Sequence, residues 1–125
     1  GEVTTDPIII TRLGEMYLIS AEAQGLSKGL SRLNELRNFR GLPSVHPATE
    51  EDFIDAILNE RHTELLAEGF RWFDLKRLGL PLDRTGSNFD ATFCGFLHKD
   101  PNADGWIFEI PKKETDFNDL IEKNY

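Results

Sequence analysis

Residues 58–79 read LNERHTELLAEGFRWFDLKRLG. At helical spacing Leu58, Arg61 and Leu65 fall on one side, and so do Glu64 and Glu68. A stripe that carries charges and aliphatics together is not an ordinary solvated face. Charges that become covered need partners, because an unpaired buried charge costs several kcal/mol. The stretch therefore predicts a helical core threaded by ion pairs. Just upstream, Thr49 can cap the helix, and Glu50, Glu51 and Asp52 crowd its first turn, where the helix dipole favours anions. The helix is expected to run to about Glu68, burying Phe53, Ile54, Ile57, Leu58 and Leu65. Gly69 breaks it. Trp72, Phe73, Leu75 and Leu78 then predict a short fourth helix ending at Gly79 and Pro81, with Trp72 and Phe73 in the core.

Two more helices precede this segment. Asp6 with Pro7 is a helix-entry pair and Thr11 is a second candidate cap. From about Arg12 to Gln24, Leu13, Met16, Tyr17, Ser20 and Ala23 recur at three and four. Gly25 is a stop signal. From about Lys28 to Arg40 the stripe is Leu26, Leu30, Leu33 and Arg37, closed by Gly41 and Pro43. So few residues separate the two that they should fold into an antiparallel hairpin. Residues 80–105 differ: turn formers dominate and no period is sustained, a length of irregular chain that is uncommon and often functional. Trp106–Ile110 alternates weakly, as a short strand would. Pro111 ends it, and residues 112–122 hold one or two helical turns.

Composition bounds the function classes. One chain of 125 residues fits one domain, residues 1–125, with a helical core over 10–79 and a loop-rich segment over 80–125 packed on it. Hydrophobic content of 39% and charged content of 29% read as globular. No apolar run approaches the ~20 residues of a membrane span. The net charge of −8 makes nucleic acid and anionic membrane poor partners. Cys94 is the only cysteine, which excludes an internal disulfide and a cysteine-rich zinc site. The opening GEVTTDP shows neither a signal peptide nor a lipid-attachment cysteine, and Gly1 fits an excised piece of something longer.

Four blocks in order resemble one family. Arg12 to Ala23 (RLGEMYLISAEA) looks like the R-x-A-E-x-Y-L-x-x-A-E-A helix of the SusD/RagB family. Leu33 to Leu42 (LNELRNFRGL) is similar to its L-N-x-I-R-x-R-A-G-L helix end. Glu60, Arg61, Glu64, Leu65, Glu68, Gly69, Arg71, Asp74, Leu75 and Arg77 resemble its acidic–arginine signature. Ile110 to Glu114 (IPKKE), with Asn118, Asn124 and Tyr125, is like its closing motifs. The resemblance implies the C-terminal portion of a SusD-like protein, all-α, with TPR-like helix pairs and a loop-rich end. It implies a non-enzymatic outer-membrane, cell-surface lipoprotein of gut-type Bacteroidetes. Such proteins capture glycans or similar nutrients and hand them to a TonB-dependent SusC-like transporter. A membrane link would run only through a lipid anchor absent from this chain. Two departures stand out. Family members are several times longer, and His62 stands where a second arginine is usual. The family's glycan contacts lie in variable loops outside these blocks, so none is carried over.

The residues themselves offer rival readings. Arg12, Glu15, Glu22, Arg37, Glu60, Arg61, Glu64, Glu68, Arg71 and Asp74 read as an ion-pair network in which arginine forks match carboxylates and fix helix register. The competing reading is a pair of catalytic carboxyls of the glycosidase kind, which needs two acids across one open cleft, at least one without an arginine. Asp100, Asn102 and Asp104 match the first half of a calcium loop, with Ile107 at its apolar position, but Pro111 stands where the closing glutamate belongs. Otherwise they form an Asx-rich turn, and no cofactor is expected. Phe89, Phe93, Phe96 and Trp106 either offer aromatic faces to a sugar or anchor the loop on the helices. His46, His62 and His98 have no metal-ligand spacing, and no nucleophile or phosphate-binding motif occurs, so no catalytic residue is assigned. Besides sugar capture, a helical module that recognises protein or peptide through an exposed apolar groove stays open.

Overall fold

The computed structural model describes residues 11–88, 90–117, 120 and 121, with the backbone alone for Ala91 and Cys94. Asp6, Pro7, Phe89, Asn118, Asn124 and Tyr125 lie outside the described residues. The chain divides into two compact units, residues 1–71 and 72–125. The fold is predominantly helical, as the sequence predicts.

In the first unit α1 (Leu13–Phe39) is one helix broken once, at Gly25, whose φ of 67° and ψ of 178° are not helical. Glycine adopts that positive φ without a Cβ penalty. The break turns α1 into two antiparallel arms, because residues before it meet residues a comparable distance after it. The Tyr17 hydroxyl donates to Glu35 at 3.1 Å. Gly29 lies so close to Ala21 that a Cβ there would sit 1.9 Å from the Ala21 carbonyl oxygen. The expected hairpin therefore forms, and it starts its second arm at once, without the gap before Lys28 that the sequence suggests. The Leu26 N–H, at the start of that arm, donates to both oxygens of Glu50 at 3.1 Å, a carboxylate placed where the helix dipole is positive. Thr11 does not cap α1: the N-cap position is Arg12, with no side-chain bond to the helix.

The helix α2 (Glu50–Glu64) opens on a capping box. The Thr49 hydroxyl accepts from Asp52 N and the Asp52 carboxylate accepts from Thr49 N, both at 3.1 Å. It ends at Glu64 and not at Glu68, since Leu65 leaves helical geometry, Ala67 has φ 65° and Gly69 has φ 84°. Leu18, Ala21, Leu33 and Leu36 from both arms of α1 form one core with Phe53 and Ile57 of α2. Asn34 ties the connection between α1 and α2 to the helix: its amide donates to Val45 O at 3.0 Å and accepts from Val45 N at 2.8 Å. Of the apolar residues expected to be buried from α2, Phe53, Ile57, Leu58 and Leu65 are, and Ile54 is half-buried.

The helix α3 (Phe70–Leu78) begins at the end of the first unit and carries Trp72–Leu78 into the second. Phe73, expected in the core, is exposed at 66%. Trp72 is half-buried, and its ring stacks on Trp106 with centroids 4.5 Å apart. The long irregular stretch contains a two-residue antiparallel ladder, β1 (Leu82–Asp83) against β2 (His98–Lys99), and one turn of helix, α4 (Ala91–Cys94). The expected strand at 106–110 does not form. Its weak alternation puts Ile107 and Phe108 both outside, so no single face of it is covered. After Pro111 a single turn, α5 (Lys112–Thr115), follows.

Candidate ligand-binding site

The charged set lies mostly in the first unit, where helical spacing brings acids and arginines from separate elements together. The Glu64 carboxylate, only 9% exposed, is gripped by Arg40 through two bonds of 3.0 and 2.5 Å. Arg12 reaches across from the start of α1. It donates to the Glu64 carbonyl oxygen and pairs with Glu68 at 2.7 Å. Arg37 pairs with the buried Glu60 and donates to Pro43 O at 3.0 Å. Glu15 and Arg61 are buried, with the Arg61 guanidinium 5.9 Å from the Phe70 ring centroid, and Glu22 is half-buried. Arg71 is exposed. In the second unit the buried Asp74 accepts from Arg77 at 3.0 Å. Arg40 and Arg77 were not among the expected members. Both are legible afterwards, since each stands three residues from a member of the set, Arg37 or Asp74, and so on the same helix side. Hydrogen bonding to Glu64, and then its charge, raises the Arg40 pKa. Glu60 and Glu64 are thus each held by a guanidinium.

The second unit holds a different arrangement. The Trp106 indole N–H donates to Asp100 O at 2.6 Å, and Ala103 N donates to the same oxygen at 3.1 Å. The turn 100–105 thus closes on its own tryptophan, which is 4% exposed. Asp100 also meets His98 at 3.1 Å through its carboxylate. The Lys99 ammonium lies 5.2 Å from the Phe96 ring and comes so close to Gly105 that a Cβ there would be 2.8 Å from it. Beside this turn opens a pocket of about 400 Å³, lined among others by Lys76, Asn102, Asp104, Trp106, Ile107 and Glu109. That size lies in the range of small-molecule sites. Among the described residues, the side chains of Lys76, Asn102, Asp104 and Glu109 make no hydrogen bond or ion pair. The pocket therefore offers one cation, one amide and two carboxylates to a visitor, over an apolar floor.

The expected aromatic residues are placed differently from one another. Trp106 is stacked and buried, Phe93 on α4 is 90% exposed, and Phe96 is exposed with the Lys99 ammonium over its ring. Phe89 lies outside the described residues. Of the calcium-type triad, Asn102 and Asp104 line the pocket and Asp100 faces His98. Among the described residues no three His, Cys, Asp or Glu side chains converge to hold a metal ion. Sequence reading missed Lys76, which carries no motif, and met Glu109 only as an acid out of place for closing a calcium loop; both enter because the turn brings them to one pocket. Asp83 at the end of β1 and Asp90 just before α4 are held below the usual carboxylate range, each first by a threonine hydroxyl, of Thr85 and Thr92, and then by that residue's backbone N–H.

Residues 1–125 match the family model described as the SusD family. The chain belongs to the SusD family. Two proteins of Formosa agariphila named SusD-like resemble it. One is 36% identical over 63% of this chain and 18% of its own length. The other is 34% identical over 99% of this chain and 26% of its own length. A crystal structure of a SusD superfamily protein from Bacteroides vulgatus is 32% identical with a TM-score of 0.75, covering 98% of this chain and 29% of that one. The matched stretch thus spans 18–29% of the length of these relatives.

Proposed function

We propose that this chain serves as part of a non-enzymatic SusD-like protein that captures a glycan or similar nutrient. It would act at the outer-membrane surface, as part of a lipoprotein working with a TonB-dependent SusC-like transporter. The observation that carries this reading is the family match over the whole chain. In this proposal residues 1–125 act as one family module, in which the ion-paired helices of the first unit form a frame and the second unit offers the binding surface. The pocket beside Trp106 supports a sugar-like ligand, since it combines an apolar floor with uncommitted donors and acceptors. Phe93, with its open ring, is a second place where a pyranose could stack. Calcium has no part in the proposal, because the Lys99 ammonium already lies at the turn that would hold it.

Calorimetric titration of a panel of neutral oligosaccharides tests this. Binding by at least one is expected, weakened tenfold or more by Asp104→Ala combined with Glu109→Ala, with no hydrolysis of the bound sugar. A folded double variant that binds as well as the parent would remove the site from this pocket. The rival reading, a helical module for protein or peptide, has one observation in its favour: the apolar furrow that α1 leaves on its outer side.

A further inference from the structure

The pocket beside Trp106 lies wholly within the second unit, so its charges are counted together. Asp104 and Glu109 accept hydrogen bonds and cannot donate, while the Lys76 ammonium donates and cannot accept. The Asn102 amide does both. Two carboxylates against one ammonium leave one negative charge over. Widening the count to the whole turn keeps the sign. Lys99 reaches the turn at Gly105, and Asp100 enters the tally with it. With histidine counted as neutral, Lys76 and Lys99 then stand against Asp100, Asp104 and Glu109. The chain's net charge of −8 lays a negative background over the same ground.

Trp106 narrows the choice of visitor. Its indole N–H is spent on Asp100 O, and its ring is stacked on Trp72. It has no donor left for a ligand and gives the pocket ring carbon alone. Ring carbon favours the apolar side of a sugar or a cation, which the indole attracts through its quadrupole. Three kinds of sugar meet this set differently. The hydroxyls of a neutral sugar can donate to both carboxylates, yet they leave the surplus charge uncovered. A uronate or a sulfated sugar finds one cation, Lys76, and two like charges. A sugar with a free amine brings an ammonium that cancels the surplus at Asp104 and Glu109, and leaves Lys76 and Asn102 to its oxygens.

We propose that the pocket selects saccharides carrying a free, protonated amine over their neutral and acidic counterparts. The inference rests on the reading of this pocket as the sugar site and names the class of sugar. Asp104 and Glu109 set the specificity, and Lys76 is the counterweight that keeps it moderate. All three side chains are exposed. Each carboxylate therefore contributes only a few-fold, and the two together about tenfold.

The test is calorimetric titration at about pH 7, where an amine of the α-amino type is mostly protonated. The probes are the trimers of glucosamine, N-acetylglucosamine and galacturonate. At ~0.01 M salt the glucosamine trimer is expected to bind about tenfold more tightly than its N-acetylated form, and the galacturonate trimer more weakly than either. The ratio should shrink at ~0.15 M salt, where the Debye length falls to about 8 Å. Asp104→Asn combined with Glu109→Gln keeps the shapes and removes both charges, and should bring the ratio near one. Lys76→Met removes the counterweight and should raise the ratio about threefold. A ratio near one in the parent chain overturns the inference, as does no binding of the glucosamine trimer beside binding of a neutral oligosaccharide. Glycan capture survives both outcomes. Tighter binding of the galacturonate trimer also overturns it. A preference unchanged in both variants belongs to the overall charge of the chain and overturns it too. So does a lysine tripeptide that binds as tightly as the glucosamine trimer, since ammonium alone is then being read. Silence toward these trimers and toward every neutral oligosaccharide removes the sugar reading of the pocket, and the inference falls with it.

Discussion

At the residue scale, Glu64 shows what separates a strut from a reacting acid. Its carboxylate is largely buried and takes two bonds from Arg40, while Arg12 holds the carbonyl of the same residue. Glu64→Gln keeps the shape and removes the charge, leaving Arg40 without its anion while Arg12 keeps Glu68. Both arginines keep part of their surface in water, at 35% and 44% exposure, so the cost is smaller than for a fully buried pair. A loss of about 2 kcal/mol is expected, a fall in Tm of roughly 5–10 °C on thermal unfolding. An unchanged Tm would mean that the carboxylate is free for other work. Asp83 gives a pH prediction. Its folded pKa lies below its unfolded one, chiefly through the Thr85 hydroxyl. The turn's contribution is complete above the ordinary aspartate value and fades as pH falls through the lowered one. Carboxyl NMR should show the Asp83 midpoint below 3.8, moving up in Thr85→Ala and staying down in Thr85→Ser.

At the element scale, the α1 hairpin rests on two glycines with different duties. Gly25 supplies the positive φ of the turn, and Gly29 lets the arms touch. Gly29→Ala keeps helical backbone but pushes a methyl into the Ala21 carbonyl. A cost of about 1–3 kcal/mol is expected in chemical denaturation, against almost none for Lys28→Ala on the exposed side of the same arm. Sequence made the first of these glycines plain, because a stop signal followed a clean period. It could not mark the second, because a glycine inside a helix looks the same whether or not anything approaches it. Periodicity likewise located both arms of α1, α2 and α3, though not the single turn α4, while the ends drifted where the chain bends for tertiary reasons, as at Leu65 and Ala67. Phe73 stands at a core spacing yet is exposed, because spacing marks a helix side and not what covers it. The pocket was the least legible feature: Lys76 and Glu109 are ordinary surface residues until the turn around Trp106 brings them together.

At the scale of the whole molecule the two units are unequally supplied with core. Among the described residues, the fully covered aliphatics and Phe53 belong to residues 1–71, whereas 72–125 buries Leu75 and Trp106. Regions with few buried apolar contacts open at lower cost than a helical core. The second unit should therefore loosen first, and the chain carries its own reporters for the two events. Its two tryptophans are Trp72 and Trp106, both in the second unit and stacked on each other. The long helices α1 and α2, which dominate the far-ultraviolet signal, are both in the first. In a urea titration the tryptophan fluorescence midpoint should come at lower urea than the helical ellipticity midpoint. A saccharide that fills the pocket should move the fluorescence transition upward and leave the ellipticity transition where it was, since a ligand stabilises the part that binds it. Coincident transitions, moving together with ligand, would show one cooperative block. The frame and the binding surface would then share their stability, and a loop-borne site on an independently folded support would no longer describe this molecule.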